Sequence, residues 1–136
     1  MWLIYALLAA VFASLTAILA KVGLDGINSH LATAIRTLVV LALAWGMVFI
    51  VGAQRELPNL SRVNWIFLSL SGLCTGLSWL CYYKALQMGQ VSKVAPIDTL
   101  SVVLTIILAA VFLHEPFTTK TLVGSAFLVT GILVLL

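Results

Sequence analysis

Charge is scarce in this chain. Of 136 residues, seven are Lys or Arg and four are Asp or Glu, 8% in all, where an ordinary soluble domain carries roughly 25%. That is too little to clothe a water-facing surface, and a soluble globule would leave large contiguous apolar patches in water. The basic residues are scattered singly and gather on no one face, which argues against a nucleic-acid partner despite the net charge of +3. Cysteine and histidine are as sparse. Cys74 and Cys81 lie on one expected helix, about 10 Å apart along its axis and too far for a bridge. His30 and His114 stand alone, without the spacing of a metal site. The sequence contains no P-loop, H-E-x-x-H or G-x-S-x-G. Neither ATP hydrolysis nor another enzyme activity is expected of it, and no metal or cofactor.

What is abundant is apolar: 63% of the residues are hydrophobic. A helix needs about 20 mostly apolar residues to cross a bilayer core, so the chain has room for at most about five or six spans and for no separate soluble domain. The reading is an all-α membrane protein with five transmembrane helices, at about 2–20, 31–52, 65–86, 91–113 and 118–136. The first is an uncharged run from Trp2 that ends at Lys21 and the turn formers Gly23, Asp25, Gly26 and Asn28. No Lys or Arg precedes it, as a secretory signal would require, so it is expected to be retained. Ser29 is placed to cap the second span. The polar connector Gln54 to Asn64, with Pro58, is expected to be a surface loop. It leads to a third span with Trp65 at one interface and Trp79, Tyr82 and Tyr83 approaching the other. Gly89 and Gln90 turn the chain into the fourth span. The fifth is short from Thr121 onward, and gains length by borrowing Phe117 to Thr119 or by thinning the bilayer.

Loop charges should set orientation, because cytoplasmic loops are enriched in Lys and Arg. Here they nearly balance. The side of the N-terminus holds Arg55, Arg62 and Lys120; the other holds Lys21, Lys84 and Lys93, with Arg36 as a further candidate. Two explanations fit: a weakly biased protein oriented by other features, or dual topology, with copies inserted both ways and paired antiparallel.

Ionisable residues within the spans cost at least about 2.5 to 3.5 kcal/mol at helix centre, so each needs a reason. Arg36, Lys84 and Asp98 qualify. In an antiparallel hairpin about the Gly89 turn, Lys84 and Asp98 would differ in depth by only ~6 Å, and are expected to pair. The plainer alternative for Arg36 and Lys84 is snorkelling to the headgroups on their long stems, and for Asp98 a structural salt bridge or cap. Asp98, Ser101 and Thr105 recur at i, i+3 and i+7, a polar stripe that suits a cavity better than lipid, although Ser and Thr can bond back to their own helix. Trp79, Tyr83 and Gln87 share a face of the third helix, as pathway residues or as an interfacial aromatic belt. Pro96 is expected either to start the fourth helix or to break it, freeing backbone groups near Asp98. Gly72 and Gly76 form a G-x-x-x-G that suits close helix packing. Glu115, before Pro116, is expected to be solvated.

The segment Gly76-Leu-Ser-Trp79-Leu-Cys-Tyr82-Tyr83-Lys84-Ala-Leu86-Gln-Met-Gly89-Gln-Val-Ser-Lys93-Val-Ala-Pro96-Ile resembles the EamA-like families of the drug/metabolite transporter superfamily. So do Leu113-His-Glu115-Pro-Phe-Thr118, Leu122-Val-Gly124-Ser-Ala-Phe-Leu-Val-Thr-Gly131-Ile and Ala34-Ile-Arg36. Transporters of these families resemble two five-helix repeats of inverted topology around a substrate cavity. The resemblance implies that this chain is one repeat of an inverted-repeat transporter, and that an antiparallel homodimer would rebuild the whole. It departs from the related small multidrug exporters, whose first helix carries an embedded glutamate; the first span here has no acid.

The function expected from these readings is secondary transport, by export, of a small metabolite or drug-like molecule across the cell (inner) membrane by alternating access in an antiparallel homodimer. A non-transporting membrane subunit and a component of a lipid-linked sugar flippase are the rivals.

Overall fold

The computed structural model describes residues 2–136, and helix dominates it. In chain order the helices are α1 (Trp2–Gly23), α2 (Ser29–Val51), α3 (Arg62–Met88), α4 (Val91–Asp98), α5 (Leu100–Phe112) and α6 (Thr119–Leu135). Among the described residues, four stretches are long and apolar enough to cross a membrane: α1, α2, α3 and the run Val91–Phe112 that holds α4 and α5. Helix α6 is apolar but has only 17 residues. At 1.5 Å rise per residue it measures about 26 Å, a little under a bilayer core of about 30 Å. The chain divides into two compact units, Leu19–Gln87 and the segment ending at Ile18 together with Met88–Leu136.

In the unit Leu19–Gln87, local chemistry sets each helix boundary. Asn28, not Ser29, caps α2: its backbone is extended (φ −69°, ψ 133°) and its side chain accepts the His30 N–H. Ser29 is the first helical residue and is buried. Gly52 ends α2 at φ 79°, a left-handed conformation in which its N–H reaches the Val48 carbonyl. The connector expected to be a plain loop is a 3-10 turn, Ala53–Asn59, tightened by Pro58. Ser61 Oγ then accepts the Asn64 N–H, and α3 starts three residues earlier than the apolar run suggested, because polar side chains can head a helix that leaves the bilayer.

In the other unit, the fourth span is one apolar run but two helices. Pro96 neither starts it nor breaks it at once; it is the sixth residue of α4 and leaves the Ser92 carbonyl without its usual N–H partner. The interruption falls at Thr99, whose N–H is shared between Ala95 and Pro96 carbonyls (3.3 and 3.1 Å) and whose Oγ1 also donates to Ala95. Helix α5 closes at Leu113, followed by His114 at φ 54° and by Pro116. Thr118 caps α6 through the Thr121 N–H, and Lys93 Nζ on α4 donates to the backbone oxygen of Leu136 beyond α6.

Few apolar side chains are buried: among the described residues they are Ala17, Leu24, Tyr83, Leu86 and Ile132. Side chains such as Ile50 and Val134 are 80% exposed. That distribution is inside out for water and right for lipid.

Candidate functional site on the second and third helices

Three of the residues singled out in the sequence come together in the unit Leu19–Gln87. Trp79 and Tyr83 are one turn apart on α3 and present their rings to α2. The Arg36 guanidinium carbon lies 4.2 Å from the Trp79 ring centroid and 5.2 Å from that of Tyr83. Tyr83 is buried (3% exposed), while Trp79 and Arg36 are half-buried. Tyr82 packs edge-on against Tyr83, with centroids 6.3 Å apart. Arg36 therefore does not extend away into free space; it rests on aromatic faces, an attraction worth about 0.5 to 2 kcal/mol according to how dry the contact is.

The end of α3 is held to the start of α2 and to the end of α1. Gln87 Nε2 donates to the Ile27 carbonyl just before α2 (2.8 Å), and Lys21 Nζ donates to the Leu86 carbonyl in the last turn of α3. The second bond satisfies a carbonyl that the end of a helix leaves without an intrahelical partner. On α2 the buried Ser29 and Thr33 stand one turn apart. The Thr33 hydroxyl donates to the Ser29 carbonyl (2.9 Å) and that of Thr37 to the Thr33 carbonyl (2.7 Å). At the same end lies an open cavity of about 470 Å³ lined by Lys21, Val22, Leu24, Asp25, Gly26 and Gln87.

The remaining candidates lie each within its own unit. Lys84 is exposed on α3. Asp98, Ser101 and Thr105 belong to the other unit, where all three are exposed, Asp98 at the end of α4 and the two hydroxyls on α5. Neither Ser101 nor Thr105 bonds back to its helix among the described residues; Thr99, absent from the sequence-based set, does so. Gly72 and Gly76 also look into open space: a Cβ added at either meets nothing within 4 Å. Sequence reasoning did not foresee Lys21 or Asp25 as cavity residues, nor that Arg36 sits on Trp79 and Tyr83. Register gives the second only a similar depth, since Arg36 lies about 10 Å from the start of α2 and Tyr83 about 8 Å from the end of α3; it does not say which rings meet the guanidinium.

Comparison with known proteins adds a family. The model of the EamA-like transporter family matches residues 1–136. A protein of Sinorhizobium sp. named "Uncharacterized transporter in cobO 3'region" is 44% identical over 134 residues, covering 98% of this chain and 95% of the relative. "Uncharacterized transporter YvbV" of Bacillus subtilis (strain 168) is 31% identical over 101 residues, which are 70% of this chain but only 33% of the relative. No solved structure matches.

Proposed function

Because the chain belongs to the EamA-like transporter family, and so is a multi-pass membrane transporter, we propose that it is one five-helix repeat of a secondary exporter, completed by an antiparallel second copy. The observation that carries this reading is the pair of relatives: one matched along 95% of its length, the other a longer chain of which this match fills a third. A transporter of the first size can draw its second half from another copy, and one of the second size has room for a further repeat within its own chain. The near-equal loop charges support insertion in both orientations.

In this reading α6 is the fifth span, its shortness met by local thinning of the cell (inner) membrane. The residues proposed for the pathway are Arg36, Trp79, Tyr83, Lys84, Asp98, Ser101 and Thr105, and alternating access moves the solute between the two faces of the membrane. Asp98 is the ion- or substrate-responsive group, and the pairing with Lys84 expected from register belongs to the same proposal. An interrupted helix beside a carboxylate is where transporters place ion and substrate sites, and the Thr99 interruption adjoins Asp98.

Purified protein in liposomes loaded with a labelled extract of water-soluble metabolites tests the reading. Efflux of soluble solutes is expected. Movement of lipid-linked sugar alone would replace it with a flippase component, and no movement of either would replace it with a non-transporting subunit.

A further inference from the structure

Arg36 is the eighth residue of α2, about 10 Å from the helix start. Neither α2 nor α3 contains an Asp or Glu to meet its charge. Its neighbours are instead the faces of Trp79 and Tyr83. Ring faces attract a cation but carry no net charge, so the guanidinium is held in place without being neutralised. Contact through ring faces also leaves the N–H fork available, and a guanidinium has five N–H donors and no acceptor. Among the described residues none of these donors makes a hydrogen bond. Thr33, nearly one turn before Arg36, and Thr37, next to it, donate to carbonyls of their own helix, and neither accepts from the guanidinium among the described residues. The result is a fixed, half-buried positive charge with spare donors, beside two aromatic rings, in a membrane-spanning segment.

From this geometry we infer that Arg36 is the recognition point for an anionic group, carboxylate or phosphate, with Trp79 and Tyr83 taking the apolar part of the molecule that bears it. The inference rests on the transporter reading and narrows its substrate class: small organic anions are carried, and cationic drug-like molecules are repelled. Guanidinium is the group best suited to this task, since its planar fork matches both oxygens of a carboxylate or phosphate. The rings serve twice, holding the cation against collapse toward the headgroups and offering area to an apolar substituent. A lipid phosphate offers the same chemistry from the bilayer, and the test separates the two sources.

The test uses the full chain in detergent and in phosphatidylcholine nanodiscs with and without phosphatidylglycerol, read by the thermal unfolding midpoint at constant ionic strength. The probes are two matched sets, benzoate, benzamide and benzylammonium, and butyrate, butyramide and butylammonium. The expected result is stabilisation by the two carboxylates alone, in all three media, with half-saturation raised about tenfold or more in Arg36→Gln. Arg36→Lys, which keeps the charge and loses the fork, should retain the preference for anions at weaker affinity, and it serves if Arg36→Gln does not fold. Stabilisation by the neutral or cationic probes, by none of them, or undiminished by Arg36→Gln overturns the inference. Stabilisation by phosphatidylglycerol with no response to the carboxylates overturns it in favour of a lipid headgroup. Flux of uncharged or cationic solutes without anion binding would remove the anion site and leave the transporter; anion binding without flux of any solute would remove the transporter and leave the site.

Discussion

A guanidinium in a membrane-spanning helix and a carboxylate beside a helix interruption pose the same physical problem, a charge that lipid does not solvate, and this chain answers it in two ways. Arg36 rests on Trp79 and Tyr83; Asp98 stays exposed beside Ser101 and Thr105, directed toward whatever covers that face. Replacing Asp98 by Asn keeps the shape and removes the charge, so efflux should fall by an order of magnitude or more while the protein still folds; efflux equal to the unmodified protein would exclude Asp98 from the pathway. If Lys84 is its partner, Lys84→Met should add less to the instability of Asp98→Asn than it causes alone, because breaking one side of an ion pair strands the other. Asn28 offers a purely structural counterpart. Asn28→Ala removes the cap on α2 and should cost about 1 kcal/mol, read as a lower unfolding midpoint in detergent without loss of selectivity; an unchanged midpoint would mean that the bond from Gln87 to the Ile27 carbonyl holds this end by itself. The charged candidates were legible in the sequence because burying charge is costly wherever it occurs. The rings beside Arg36 were not, since which ring meets the guanidinium depends on how the end of α3 is held, by Lys21 of α1 and by the bond from Gln87 to the Ile27 carbonyl before α2, and those bonds run to backbone carbonyls that no sequence pattern marks.

Helices as elements were read more readily than their ends. Long apolar runs bounded by Lys21, Gly52 and Gly89 mark α1, α2 and α3 without ambiguity, but the heads of helices that protrude from the bilayer carry polar residues and escape a hydropathy reading, as at Arg62–Asn64. The Thr99 interruption escaped for a different reason: Pro96 announces a fault, yet where the chain absorbs it depends on which carbonyls the next turn can share. Helix α3 also carries a feature whose meaning changes with the structure. A Cβ at Gly72 or Gly76 meets nothing within 4 Å, so neither glycine is required by a close approach within the chain. Gly76→Leu should therefore leave the folded monomer intact, or steady it by about 1 kcal/mol through helix propensity. If a second copy packs on this face, the same substitution should convert dimers to monomers in native mass spectrometry from nanodiscs. Dimers as abundant as before would assign the face to lipid.

At the scale of the whole molecule, the scarcity of buried apolar side chains is the dominant fact: most large hydrophobic residues are exposed and need either lipid or a second chain. Which of the two meets a given face depends on how copies are oriented, and orientation is set by loop charges that nearly cancel here. Arg55, Arg62 and Lys120 stand against Lys21, Lys84 and Lys93. Structure refines this count without tipping it, because Lys21 bonds to the Leu86 carbonyl and Lys93 to the backbone oxygen of Leu136, yet both still lie at helix ends. Reporter fusions after Leu136 should therefore be active on both sides of the membrane, alkaline phosphatase outside and a fluorescent protein in the cytoplasm. Two arginines added within Gln54 to Asn64 should draw that connector to the cytoplasm and silence one of the two reporters. Efflux should fall with it, because an antiparallel dimer needs copies of both orientations. Co-expression of an oppositely biased copy, with arginines added beside Lys93 instead, should restore it. One active reporter in the unmodified chain would end the dual-topology proposal, and full efflux from a population fixed in one orientation would end the antiparallel dimer.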